Sequence, residues 1–175
     1  MPISGIESDR LVLRPVRDTD LVPYANFYAS EGSRFVGGPC RREEAWRKLA
    51  ALAGHWHLRG YGPWALECKQ DGSFAGLSGL WFPEGWPEPE VMWLLVEDRQ
   101  GQGFATEAAA RVRRYAAETL GWQRLVSCIE AENTASVGVA LRLGATIDYQ
   151  HVMPPPDGRR FDVYAHQMGA SSTTD

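Results

Sequence analysis

Val91 to Val96 is a nearly continuous apolar run of strand length, which predicts a buried strand. Gly101 and Gly103 break the run. Phe104, Ala108, Val112, Tyr115 and Ala116 then recur at helical spacing, with Glu107, Arg111, Arg113, Arg114 and Glu118 between them. Residues 104–120 therefore form a helix with one apolar stripe, stopped by Gly121. Leu11-Val12-Leu13 is a short strand ended by Pro15. Asp18-Thr19-Asp20 caps a helix whose face is Leu21, Tyr24, Ala25 and Tyr28 and which ends near 30–32. A flexible, glycine-containing connection at 34–39 leads to a second helix from Arg41 to Leu58, with Ala45, Leu49, Leu52 and Trp56 along one side.

Strands at 64–69 and 74–80 flank Gln70-Asp71-Gly72-Ser73, a hairpin signal, and Gly76 and Gly79 mark a bulge or close backbone approach. Three prolines make 81–89 a loop, whose tryptophans either pin it by aromatic packing or line a binding surface. Arg124 to Ile129 is a strand parallel to 91–96, because a helix joins them. Asn133 to Leu143 is a helix capped by Asn133 and closed by Gly144, and strands at 146–149 and 161–166 close the chain around a proline-rich turn at 154–158. The order β-α-α-β-β-β-α-β-α-β-β describes one α/β domain over residues 1–168, followed by a flexible tail at 169–175.

Composition narrows the function classes. At 175 residues, 44% hydrophobic and 23% charged, the chain is an ordinary globular one. A net charge of −4 leaves no electrostatic footprint for nucleic acid and slightly disfavours an anionic membrane surface. Cys40, Cys68 and Cys128 are far apart and form no CxxC pair, so neither a disulfide framework nor a zinc site is expected. His55 and His57 point apart on their helix and cannot share a metal. With no signal peptide and no spanning run, a cytoplasmic location is expected.

The junction at 100–106 holds the candidate chemistry. A strand, two glycines and a helix N-terminus together present unpaired N–H groups and partial positive charge, which suits a phosphate or pyrophosphate, although two glycines alone also fit an ordinary strand-to-helix turn. A P-loop is excluded, since no lysine stands at the required place. A dinucleotide fingerprint is the better rival, with Gly101, Gly103 and then Glu130 at the end of the next strand. It lacks its third glycine, where Thr106 stands, and only 45 residues follow Glu130.

Gln100, Gly103 and Ala105 fill the Q/R-x-x-G-x-G/A signature of the GNAT acetyltransferase superfamily, and Gly101 agrees with a common choice at a free position. Thr106-Glu107-Ala108, and Asn133 to Ser136 leading to Arg142-Leu143-Gly144-Ala145, are similar to the RimJ/RimL-like branch that acetylates ribosomal-protein N-termini. The resemblance spans roughly residues 8–168 and implies the GNAT fold, with a mixed central sheet and flanking helices. It implies acetyl-CoA as cosubstrate without a metal, and direct acetyl transfer to a primary amine, either a protein N-terminal α-amine or a small molecule. Homodimers are common in that branch. It places the pyrophosphate on Gln100, Gly101, Gln102, Gly103, Phe104, Ala105 and Thr106, with the pantetheine between the strands at 91–96 and 124–129, contacted by Asn133 and Ser136. Main-chain N–H groups near Leu95 or Val96 would face the thioester oxygen.

An amine is mostly protonated at neutral pH, so a base is useful. Glu90, at the start of the central strand, matches the position where the family often carries glutamate, and Glu67 is the second candidate. The tyrosine that many members use as general acid is replaced here by Ala140. Ser136 matches the serine of the RimL-like branch and either protonates the leaving thiolate or only contacts the cofactor, with Tyr149 and Tyr164 in reserve. The rival from another class is a coenzyme-A-binding sensor or structural module without catalysis.

Overall fold

Side chains alternate across a strand, and here each face of the sheet meets its own helical cover. A computed structural model describes residues 3–168; the expected tail at 169–175 lies outside them. The strands are β1 (Ile6–Glu7), β2 (Leu11–Arg14), β3 (Pro63–Cys68), β4 (Phe74–Trp81), β5 (Glu90–Leu95), β6 (Leu125–Ile129), β7 (Thr146–Val152) and β8 (Arg160–His166). The helices are α1 (Leu21–Tyr28), α2 (Arg42–Arg59), α3 (Phe104–Glu118) and α4 (Thr134–Arg142). The sheet runs β1-β2-β3-β4-β5-β6-β8-β7, antiparallel everywhere except between β5 and β6.

Leu11, Leu13, Trp64, Leu66, Leu80 and Val91 bury one face under the stripe of α3, where Phe104, Ala108, Val112 and Ala116 are closed from solvent. Alanines at 108, 109 and 116 let the helix lie close to the sheet. Ala65, Leu77 and Leu94 occupy the other face beneath Tyr24, Tyr28, Ala45, Leu49 and Leu52 of α1 and α2. Ala140 of α4 is fully buried against Ile129, Ala145 and Tyr164. Two glycines of β4 are dictated by crowding. A Cβ at Gly79 would stand 2.3 Å from Pro63 Cα, and one at Gly76, whose φ is +148°, would stand 2.0 Å from the Leu94 carbonyl oxygen.

Five features differ from the sequence reading. Asp18–Asp20 is a 3-10 turn running into α1 and not its cap, because the Asp20 carboxylate is spent on Arg14 and the Arg17 N–H. β1 is an additional strand, too short to show a period. Glu31–Val36 is a 3-10 helix rather than part of a flexible connection, because Tyr28 Oη donates to Val36 O, Ser33 Oγ to Ser30 O and Cys40 N to Tyr28 O. Trp81 belongs to β4 and pairs with Glu90, and its ring stacks on His55 at 4.8 Å. β7 runs on to Val152 past a register shift between Ile147 and Tyr149. Among the described residues no helix is long and apolar enough to cross a membrane.

One buried ion pair ties β2 to the 3-10 turn that leads into α1. Arg14 holds Asp20 through two hydrogen bonds of 2.9 and 2.8 Å and Glu67 through Nε at 2.6 Å, while Asp20 also accepts the Arg17 N–H. Asp20 is 2% exposed. Asp20→Ala would leave a guanidinium only half-neutralised in the interior, and it should cost about 3 kcal/mol, the lower end for breaking a buried pair because Glu67 remains. Urea unfolding of the variant beside the wild-type chain measures this.

Candidate active site

β5 and β6 pair at one position, Glu90 with Val126, and then part. Unpaired backbone groups in an interior need partners, and here side chains supply them. The Cys128 N–H donates to Glu90 Oε2 at 3.0 Å, and Ser127 Oγ–H donates to the Val91 carbonyl at 2.7 Å. That spends the one Ser127 proton, so the 2.9 Å contact between Ser127 Oγ and His166 Nε2 is donated by the imidazole. His166 is neutral: burial first, and Arg113 second, push it down to about 4.

Glu90 fills the gap where the strands separate and is 6% exposed. Burial pushes its carboxyl up to about 7, against the Cys128 N–H, which favours the charged form. The indole N–H of Trp86 also favours the carboxylate, yet it is buried and in hydrogen-bonding geometry with nothing. The Cys128 thiol is pushed far up, by burial first and then by Glu90.

Two cavities meet at the parting of these strands. One, of about 650 Å³, runs from the glycine turn past Leu95 and along α4. The other, of about 320 Å³, has Glu90, Ser127 and Cys128 in its wall together with side chains of α1, α2 and β8. Trp93, Leu94, Asn133, Ser136, Phe35 and Val36 line both. The glycine turn is built to expose its amides. Gly101 and Gly103 have φ of +73° and +82°, Gly103 caps α3, and nothing lies within 4 Å of where a Cβ would stand at Gly101. The first N–H groups of α3 therefore face the larger cavity unpaired, a fit for a pyrophosphate.

The turn is braced from behind. Arg10 donates to Gln102 O at 2.9 Å, pairs with Glu107 at 2.6 Å and lies over the Phe104 ring. Gln100 Nε2 donates to Leu95 O and Gln102 Nε2 to Asp98 O. Asn133 Oδ1 accepts the Ser136 N–H and so starts α4, and Ser136 Oγ accepts the Trp93 indole N–H at 3.3 Å.

The cleft thus brings together Glu90, Leu95, Gln100, Gly101, Gly103, Ala105, Thr106, Asn133 and Ser136. Other expected residues fall elsewhere. The Phe104 side chain is in the core, so only its amide can serve, and the exposed Gln102 side chain turns back to the loop. Val96 is corrected: its N–H donates to Ala75 O, so none is left for a thioester. N–H groups alternate along a strand, which turns that of Leu95 to the open β6 side. Glu67 is corrected as a base, being held by Arg14 and Arg17 outside both cavities. Tyr149 donates to Glu88 and Tyr164 is buried under α4, and neither lines a cavity. Arg142, whose Nε donates to Thr106 Oγ1 at 3.3 Å, and Arg34 line the larger cavity. In sequence Arg142 stands only as part of the Arg142-Leu143-Gly144-Ala145 motif and Arg34 only in the connection at 34–39, and neither is singled out there as a site residue.

The sequence profile of the acetyltransferase (GNAT) domain matches residues 10–146. The crystal structure of the acetyltransferase from Agrobacterium tumefaciens str. C58 is similar over 95% of this chain and 96% of its own, with TM-score 0.85 and 34% identity. The uncharacterized N-acetyltransferase YoaA of Bacillus subtilis (strain 168) is 24% identical over 143 residues, 79% of this chain and 81% of its own. RimL, a ribosomal α-N-protein acetyltransferase solved with coenzyme A, shares the fold at TM-score 0.75 and 20% identity, over 94% of this chain and 98% of its own.

The raised Glu90 carboxyl makes stability depend on pH with a definite sign. Below an ordinary value of 4.5 both states are protonated; between about 4.5 and 7 the unfolded chain loses its proton while the folded one keeps it, so stability falls as pH rises, and above 7 the loss is complete. Glu90→Gln keeps an oxygen for the Cys128 N–H and removes this dependence. Urea unfolding should find the variant gaining on wild type by a few kcal/mol between pH 4 and pH 8.

Proposed function

Because the chain belongs to the GNAT acetyltransferase family and is an acetyl-CoA-dependent N-acetyltransferase, we propose that it moves the acetyl group directly onto a primary amine held in the smaller cavity. The amine is a protein N-terminal α-amine or that of a small molecule. The observation that carries this reading is the buried carboxyl of Glu90 in the wall of a cavity that adjoins the one under the glycine turn. A base that titrates near neutrality is matched to removing a proton from an amine of pKa roughly 8–10.

In the proposed step the amine nitrogen attacks the thioester carbon, the N–C bond forms and the C–S bond breaks. Glu90 takes the amine proton, directly or through a water. The Leu95 N–H faces the developing oxyanion, and Ser136 Oγ–H is placed to protonate the leaving thiolate or to orient the pantetheine arm. Amides of residues 101–106, with Arg142 at their rim, bind the pyrophosphate. A relay through an acyl-cysteine is disfavoured, since burial and Glu90 hold the Cys128 thiol protonated. The RimJ/RimL-like spelling keeps a protein N-terminus among the two acceptors, and the likeness to RimL is one of fold. A cytoplasmic location and a homodimer, as in that branch, belong to the same proposal.

Release of free coenzyme A thiol, measured with and without added amine, tests the reading; a coenzyme-A-binding module would release none. Glu90→Gln should lower kcat about 10²-fold or more at pH 7 with KM for acetyl-CoA near wild type, and the wild-type kcat should rise with pH through about 7. Unchanged turnover removes Glu90 as base. Gly103→Asp puts a side chain at a positive-φ position, its Cβ 3.4 Å from the Arg10 guanidinium that braces the turn, so the turn is distorted and calorimetry should find coenzyme A binding at least tenfold weaker. Cys128→Ala should keep turnover within about threefold, whereas its abolition would favour the acyl-cysteine relay.

A further inference from the structure

The smaller cavity is walled by rings drawn from separate elements: Tyr24 from α1, Phe35 from the 3-10 turn, Trp81 from the end of β4, Trp86 from the β4–β5 loop and Phe161 from β8. We infer that the acceptor is a compact primary amine bearing an aromatic ring, bound with its nitrogen toward Glu90 and its ring among these side chains. The inference rests on the acetyl-transfer reading above and narrows its two acceptor classes to one.

Three observations carry it. The first is size. About 320 Å³ lies at the small end of the roughly 300–1,000 Å³ that small-molecule sites occupy. The second is charge. Glu90 and Glu130 in the wall are matched by Lys48 and Arg159, and Arg159 is already paired with Asp157 at 2.8 Å while lying over the Phe161 ring. A second ammonium on the acceptor would meet cations as well as carboxylates here, so the wall holds no acidic cluster that would select polyamines or lysine-rich segments. The third is hydrogen bonding. Asn133 Oδ1 is spent on the Ser136 N–H and Ser127 Oγ is spent between Val91 O and His166. The polar side chains left in the wall are mostly charged, Lys48, Glu130 and Arg159, so the amide groups of a polypeptide entering this space would lose water and find few neutral partners.

Initial rates with saturating acetyl-CoA and the full chain test this, with phenethylamine, spermidine and the tripeptide Ala-Ala-Ala-amide as acceptors. kcat/KM for phenethylamine should exceed both others by at least about tenfold. Spermidine or the tripeptide matching phenethylamine overturns the aromatic class and leaves the acetyltransfer reading standing. No transfer to any amine overturns the class as well, and a failure of coenzyme A to raise the melting temperature then places the fault in the donor site. Trp86→Leu should reduce the preference for phenethylamine over propylamine about tenfold, with the melting rise on coenzyme A kept as the control that the fold is intact. An unchanged preference overturns the inference.

Discussion

The parting of β5 from β6 is the constraint on which the candidate site depends. Two parallel strands that stop pairing in an interior leave backbone donors and acceptors that cannot stay empty, because each costs the desolvation of a polar group. Glu90 takes the Cys128 N–H and Ser127 takes the Val91 carbonyl, with His166 holding Ser127 in turn. The sheet keeps its integrity while a gap opens in it. The same placement buries the Glu90 carboxyl, so the repair of the ladder and the upward shift of a prospective base have one physical cause.

The glycine turn and the helical cover stand on either side of this gap. Arg10 and the side chains of Gln100 and Gln102 satisfy the outer polar groups of the turn, which leaves its inner amides and the start of α3 for a ligand. On the opposite side the 3-10 turn after α1 places Phe35 and Val36 where the two cavities meet. The two cavities are therefore distinct in their walls yet adjoin, and in the proposed reading donor and acceptor meet where they join. That is the geometry direct transfer requires, since proximity and orientation supply much of the rate.

The element order, the parallel pairing of β5 with β6 and the glycine turn were legible because each has a local cause. An apolar run, a helical stripe and positive-φ glycines act over a few residues, and Asn133 as a cap acts over three. The Gln100 and Gly103 spelling pointed to the family for the same reason. Less legible were features set by distant partners. Glu67 sits in a strand as Glu90 does, but Arg14, 53 positions away, claims it. Val96 stands next to Leu95, and one residue of strand alternation assigns its amide to Ala75 instead of the cleft.

Periodicity and turn chemistry thus determined by themselves most of the strands and helices, their order and the glycine turn between β5 and α3. The tertiary structure alone decided which carboxylate would be stripped of water, which amide would be left unbonded, and that Tyr24, Phe35, Trp81, Trp86 and Phe161 would share one cavity wall. Secondary structure follows from interactions between near neighbours, whereas burial, pairing and the enclosure of a cavity depend on groups that only the folded sheet and its two covers bring together.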